Sequence, residues 1–220
     1  MLVDLILHGK KALVLGDNEE AELKARKLLD GGAEVTVIGH QITKGIQKLV
    51  ISRKVRLIVA RPQNYAATIR HQRPNVVMVS TADPKLDRKL AHAARSLGAL
   101  VCVVERPELN DFNMPASAKI GDISVAVSTG GMSPAMASML RRRIERTITK
   151  EDVLQVRLQH DIRRIAKDML GHPASRKRLL YQIIHNRKIA DLLRRNSFEE
   201  AKTHALEILR RKARPSKHRK

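Results

Sequence analysis

The sequence predicts an α/β domain built on a parallel sheet, followed by a strongly basic helical domain. Five short runs in the first half are rich in β-branched residues and almost continuously apolar, which is typical of strands buried on both faces. These runs cover residues 12–15, 35–38, 55–59, 76–79 and 100–104. Helical patterns lie between them, and alternating strands and helices form right-handed parallel sheets. From residue 150 onward the sequence shows no strand pattern.

The helices of the first half are indicated by apolar spacing and by glycines that follow their last turn. Residues 20–30 place leucines at helical spacing and end before Gly31, and residues 86–97 repeat this pattern and end before Gly98. A further strand is predicted over residues 123–127. Ser133 and Pro134 then fit the N-cap and first position of another helix.

The C-terminal helices are amphipathic and are interrupted at Gly171 and Pro173. A final helix is predicted from residue 198 to about residue 209. It leads into a basic tail, residues 213–220, that we expect to be disordered.

The amino-acid composition excludes several classes of protein and of site. Apolar residues make up 43% of the 220 residues, which excludes a disordered polyelectrolyte. The single cysteine, Cys102, excludes a disulfide within the chain and a cysteine-based zinc site. A free thiol in an apolar run suits a reducing compartment, so we expect a cytoplasmic protein. The N-terminus lacks the pattern of a signal peptide and no apolar run is long enough for a membrane helix, so no membrane partner is predicted. The histidines show no metal-ligand spacing, so no metal site is predicted.

The formal net charge of +21 predicts an anionic partner. From residue 150 onward, 20 Lys and Arg stand against 8 Asp and Glu, so the charge is concentrated in the helical domain. Nucleic acid, an anionic membrane and a polycarboxylate ligand would each satisfy such a charge, and the charge alone does not choose among them.

The turn after the first predicted strand resembles a glycine-rich dinucleotide turn in an altered form. Gly16 and Ala21 hold the first and last places of that pattern, whereas Asn18 holds the middle one. A glycine in the middle lets the backbone approach a pyrophosphate, and the Asn18 side chain occupies that space. Asp17, Glu19 and Glu20 add negative charge that repels phosphate. The alternative is an acidic first turn that only complements the helix dipole.

Four blocks of sequence together resemble the precorrin-2 dehydrogenases, the siroheme-synthase N-terminal family. The first runs from the strand ending at Gly16 to Val37. The second is Ser-Thr-Ala-Asp-Pro-Lys-Leu-Asp at 80–87, the third covers 103–116, and the fourth is Ser-Thr-Gly-Gly-Met-Ser-Pro-Ala at 128–135. Their order and spacing hold over about residues 1–150, whereas the helical remainder matches more loosely.

The resemblance implies NAD-dependent oxidation of precorrin-2 to sirohydrochlorin in siroheme biosynthesis, and some members of the family also insert iron. It implies a Rossmann-like NAD-binding domain over 1–112, a dimerisation segment over 113–149 that makes a homodimer, and a helical domain over 150–212. It places NAD against Gly16, Asp17, Asn18, Glu19, Glu20, Gly39, His40, Gln41 and Thr81.

The resemblance also implies a proton-handling acid just after the fifth strand. The family ordinarily has Asp there, and this chain has Glu105, with Asp111 as a second carboxylate nearby. Cys102 stands where the family usually has Asn. An ion pair of Glu105 with Arg106 or with another basic residue is the competing account of Glu105. A loop-capping role is the competing account of Asp111.

The implied substrate suits the charge, because precorrin-2 is fringed with carboxylates that Arg and Lys recognise. We expect a basic cleft between the sheet and the helices to attract it. Two alternatives remain open: a non-catalytic tetrapyrrole-binding or carrier protein of the same fold, and a nucleic-acid-binding protein that uses the basic helices. Against the second, the chain has few stacking aromatics and no DNA-reading motif.

Overall fold

The computed structural model describes residues 2–213. The chain divides into two compact units, Met1–Met114 and a second unit that begins at Pro115. The predicted disordered tail, 213–220, lies outside the described residues except for Ala213, where the last helix ends.

The first unit is a five-stranded sheet in which every neighbouring pair of strands is parallel, as the sequence predicts. The strand order is β3-β2-β1-β4-β5. The strands are β1 (Lys11–Leu15), β2 (Glu34–Gly39), β3 (Arg56–Val59), β4 (Val76–Val79) and β5 (Leu100–Val103). The helices are α1 (Glu19–Asp30), α2 (Lys44–Ile51), α3 (Tyr65–Gln72) and α4 (Pro84–Arg95), with 3₁₀ turns at Pro62–Asn64 and Pro107–Leu109.

Apolar clusters cover both faces of this sheet, which explains why its strands are almost continuously apolar. On one face Val14, Val37 and Met78 belong to a cluster with Ala25 and Leu28 of α1. On the other face a second cluster combines strand residues with α3 and α4; it contains Leu13, Ile38, Val77, Ile69 and Leu90. The free thiol of Cys102 is buried in the first cluster.

The second unit opens with an antiparallel hairpin of β6 (Ala116–Ile120) and β7 (Ile123–Val127). The sequence predicts β7 alone, because Ala116, Ala118 and Lys119 give β6 only a weak apolar alternation. Helix α5 (Pro134–Thr147) follows. As predicted, Ser133 is its N-cap, with Oγ accepting from the Met136 amide at 3.3 Å, and Pro134 is its first residue.

Four further helices share one core: α6 (Lys150–Met169), α7 (Pro173–Ile184), α8 (Arg187–Arg194) and α9 (Phe198–Ala213). Fully buried side chains from all four meet there, including Leu158, Leu179, Leu193 and Leu209. The last helix extends past residue 209, where the sequence pattern ends. Across residues 2–213, none of the helices combines the length and apolar character needed to cross a bilayer.

Candidate cofactor and active site

A cleft of about 420 Å³ opens beyond the carboxyl ends of β1 and β4. The strand order reverses between these two strands, and open parallel sheets bind ligands at such a switch point. The lining residues come mainly from the β1 and β4 exits; they are Gly16, Asp17, Asn18, Pro62, Tyr65, Ser80, Thr81, Ala82, Asp83 and Leu86. Four of the residues that the sequence predicts to bind the cofactor therefore line one cleft.

Gly16 is required where β1 passes close to β4. Its φ is +136°, and an added Cβ would lie 2.2 Å from the Ser80 carbonyl oxygen. The Gly16 amide donates to the Ile38 carbonyl at 3.0 Å, which fixes the strand end between its two neighbours. Glycine at position 16 thus lets the end of β1 pack directly against the exit of β4 at the rim of the cleft.

Asn18 is the N-cap of α1, and its φ of −91° does not require glycine. Its Oδ1 accepts from the Ala21 amide at 2.9 Å and from the Ser80 hydroxyl at 3.1 Å. Its Nδ2 donates to the Ser80 carbonyl at 3.1 Å. The side chain at the middle position of the turn is therefore held against the exit of β4.

Asp17 fixes the loop that follows β2. Its Oδ2 accepts from the backbone amides of His40 at 3.1 Å and Gln41 at 2.9 Å. A Cβ on Gly39 would lie 2.9 Å from the Asp17 Cβ, so this close packing favours glycine at position 39. The side chains of His40 and Gln41 are exposed beside this loop. The structure thus brings together the predicted residues of the β1 and β2 exits.

The first turn of α1 fits a phosphate through its backbone rather than through its side chains. Within the described residues, the amides of Glu19 and Glu20 have no hydrogen-bond acceptor, and free first-turn amides are the groups that bind phosphate at a helix N-terminus. Both side chains are exposed, and Glu20 forms an ion pair with Lys24 at 3.4 Å that offsets part of its charge. The first turn of α1 therefore offers free backbone amides to a dinucleotide phosphate, with the acidic side chains of Glu19 and Glu20 exposed beside them.

Thr81 connects the cleft to a buried carboxylate. Its hydroxyl donates to Oδ1 of Asp87 at 2.5 Å, and Asp87 is only 3% exposed. Burial raises the pKa of Asp87, although the hydrogen bonds from Thr81 and the nearby Arg106 guanidinium oppose that shift. Sequence reasoning missed Asp87, but Leu90, Ala91 and Ala94 follow it at helical spacing and are all buried. That spacing places Asp87 on the core face of α4.

Glu105 lies in an exposed turn just after β5, at the sheet edge where the sequence places it. The alternative ion pair with Arg106 is not formed. Within the described residues Arg106 instead faces Asp87, with Nε 3.7 Å from Oδ2, and Glu108, with a nitrogen 3.9 Å from the carboxylate. Among residues 2–213 Glu105 forms no ion pair with any basic residue. Its catalytic role stays a prediction.

The contacts of Asp111 are those of a structural residue. Its carboxylate accepts from Arg95 Nε at 2.8 Å and from the Val101 amide at 2.9 Å. Its own amide donates to the Val101 carbonyl at 2.9 Å. Val101 is the second residue of β5, whereas Glu105 follows the end of that strand. These contacts favour the loop-anchoring alternative for Asp111.

Family models match two parts of the chain. A model described as "Putative NAD(P)-binding" matches residues 3–116, and one described as "Sirohaem biosynthesis protein central" matches residues 121–147. The solved structure of "SirC, precorrin-2 dehydrogenase" aligns with a TM-score of 0.70 over 96% of this chain and 99% of that chain. At 17% identity, this alignment establishes a shared fold.

Curated relatives carry two names. The siroheme synthase of Methylococcus capsulatus is 35% identical over 79% of this chain and 36% of its own length, and that of Tolumonas auensis is 28% identical over 89% and 40%. This chain thus spans two fifths or less of those two proteins. The precorrin-2 dehydrogenase of Methanosarcina barkeri is 28% identical over 93% of this chain and 91% of its own length. Because the first family model matches more than half of the chain, the chain belongs to that NAD(P)-binding family, and the resemblance to siroheme-synthase N-terminal domains is confirmed.

Proposed function

We propose that this protein is an NAD-dependent dehydrogenase that oxidises precorrin-2 to sirohydrochlorin in siroheme biosynthesis. The observation that carries the proposal is the end-to-end match to a precorrin-2 dehydrogenase, which covers 93% of this chain and 91% of that relative. The cleft at the switch point of the sheet supports it independently, because dinucleotides bind at such a place.

Residues of the cleft and of the neighbouring strand exits have separate roles in the proposed reaction. NAD, when bound, supplies a hydride acceptor. Gly16 keeps the β1 exit close to β4, and the free amides of Glu19 and Glu20 would hold the cofactor phosphates. The loop held by Asp17 presents His40 and Gln41. Glu105 takes up the proton that the macrocycle releases, which a carboxylate at the open edge of the sheet is suited to do.

The positive charge recognises the carboxylates of the macrocycle. Along α5, Arg142, Arg143 and Arg146 are exposed, line a groove of about 730 Å³ with Met139, and form no ion pair within the described residues. Unpaired guanidiniums bind carboxylates through charge-assisted hydrogen bonds. We therefore propose that α5 contributes to attracting the tetrapyrrole.

We also propose that the protein is a homodimer joined largely through residues 113–149. This segment has almost no core of its own, because Ala137 is the one buried residue of α5 among the described residues. Met132 is 89% exposed and Met136 is 45% exposed, so a second chain would have apolar surface to bury. Light scattering at micromolar concentration and moderate salt should give the mass of two chains, and a monomer would exclude this arrangement.

We place the protein in the cytoplasm, where a reduced, buried Cys102 would persist. Some members of the resembled family also insert iron into sirohydrochlorin, and for this chain iron insertion would be a second step. Within residues 2–213, no three His, Cys, Asp or Glu side chains cluster as metal ligands.

Turnover tests the proposal directly. The purified chain is mixed with NAD and precorrin-2 while sirohydrochlorin is followed by absorbance, and NAD is titrated by calorimetry with and without precorrin-2. NAD-dependent formation of sirohydrochlorin is the expected result. Tetrapyrrole binding without oxidation would identify a carrier, and a salt-dependent shift of DNA without tetrapyrrole binding would identify a nucleic-acid-binding protein.

A further inference from the structure

Two exit loops of the sheet meet over one buried carboxylate. Thr81 belongs to the loop after β4, and Arg106 belongs to the turn after β5, directly next to Glu105. Asp87, in the first turn of α4, contacts both: Oδ1 accepts from Thr81 at 2.5 Å, and Oδ2 lies 3.7 Å from Arg106 Nε. The carboxylate therefore joins the cleft rim to the turn that carries the proposed proton acceptor.

Burial disfavours the charged form of this carboxylate, although Thr81 and Arg106 partly offset the desolvation. The Asp87 side chain is 4% exposed, and desolvation is the largest influence on its pKa, which is raised. The Nε of Arg106 is also buried, and within residues 2–213 it has no hydrogen-bond partner. A buried carboxylate that contacts a residue of the cleft and an arginine of the next loop is typical of a functional site.

We propose that Asp87 and Arg106 are positioning residues that hold the Glu105 turn against the cofactor cleft. Asp87 does not act on the substrate in this scheme. It fixes Arg106, and Arg106 fixes the adjoining Glu105, whose exposed side chain has no ion pair of its own among the described residues. The inference rests on the proposed function for its catalytic consequence, but the link between the two loops is a property of the chain itself.

Asp87→Asn tests the proposal with little change in shape. The new amide oxygen can still accept from Thr81, so the cleft rim is kept, whereas the charge that attracts Arg106 is lost. We expect kcat to fall about 10- to 100-fold, because small misplacements of a catalytic group have effects of that size. The KM for NAD should change far less. Arg106→Gln should give the same pattern.

The double variant distinguishes one shared effect of the Asp87–Arg106 pair on kcat from two independent effects. If Asp87 and Arg106 act as one unit, Asp87→Asn combined with Arg106→Gln should be no slower than the slower single variant. The matched control is Glu34→Gln, which removes an exposed ion pair to Arg56 at 3.1 Å in the same unit. That control should leave kcat and KM unchanged.

Hydrogen–deuterium exchange gives a readout that does not depend on turnover. In Asp87→Asn, amides of residues 104–109 should exchange at least about tenfold faster, because the ion pair that holds Arg106 next to α4 is lost and the Arg106 charge is left without that partner. The control should show no change there. Unchanged exchange in this segment would overturn the proposal even if the chain proves to be inactive. If the parent protein turns over and Asp87→Asn keeps its kcat, the positioning role is wrong and the proposed function stands.

Discussion

Gly16→Ala should destabilise the first unit by more than backbone conformation alone requires. The methyl group would lie 2.2 Å from the Ser80 carbonyl oxygen and 2.9 Å from its carbon, so the β1 exit must move away from β4. Forcing an L-residue into a left-handed conformation costs about 1–2 kcal/mol. Overpacking adds about 1–3 kcal/mol. We therefore expect a loss of about 2–5 kcal/mol in the free energy of unfolding.

Gly98→Ala is the matched control, because Gly98 also has a positive φ of +78° but an added Cβ there meets no atom within 4 Å. It should lose only about 1–2 kcal/mol. Unfolding in urea can be followed by the fluorescence of Tyr65, which is 3% exposed and becomes the sole tyrosine in a Tyr181→Phe background. If Gly16→Ala is no less stable than Gly98→Ala, the close approach of β1 to β4 is not what requires glycine.

The remaining predictions concern the first turn of α1 and its contact with α2. Replacing Asn18 with Gly and Glu20 with Val should tighten NAD binding, because both bulk and negative charge leave the phosphate site; calorimetry showing no gain would contradict this. The same double variant should be less stable to urea, because Ser80 loses its partner. Hydrogen bonds from Thr43 and Arg26 lower the pKa of Glu22 in the folded protein. The ionised Glu22 therefore stabilises the fold at pH values above its unfolded pKa, and this stabilisation is lost as the pH falls through its lower, folded pKa. Glu22→Gln should therefore be less stable than the parent near neutral pH and should approach it in thermal unfolding as the pH falls below the ordinary Glu pKa of about 4.3. A stability difference that stays constant with pH would refute this account.

The sheet could be predicted because burial on both faces leaves a direct mark on sequence. Val14, Val37 and Met78 face one cluster while Leu13, Ile38 and Val77 face the other, so most strand positions are apolar whichever face they point to. The hairpin strands β6 and β7 both alternate between half-buried and exposed positions, but the sequence predicts only β7. Its half-buried positions are Ile123, Val125 and Val127, whereas β6 has alanine at two of the three corresponding positions, Ala116 and Ala118. Hydrophobic periodicity therefore predicts strands with large apolar side chains and misses a strand whose half-buried positions are small.

The sequence predicts where the residues of the candidate site lie better than it predicts what each of them does. Sequence spacing correctly places Gly16 and Thr81 at the rim of one cleft and Glu105 just after β5. It cannot show that Asn18 caps α1 while bonding to Ser80, since residues 62 apart meet only in the folded sheet. The engagement of Asp111 with Arg95 and Val101 is hidden for the same reason. Roles that depend on such distant contacts require the structure.

Comparison of three proteins that differ only at position 105 tests the central claim most directly. Sirohydrochlorin formation from precorrin-2 and NAD is measured by absorbance for the parent chain, Glu105→Gln and Glu105→Asp. The parent should turn over, Glu105→Gln should bind the tetrapyrrole but not oxidise it, and Glu105→Asp should keep or raise the rate, since it restores the acid that the family ordinarily has. Glu105→Gln that turns over at the parent rate would contradict the account.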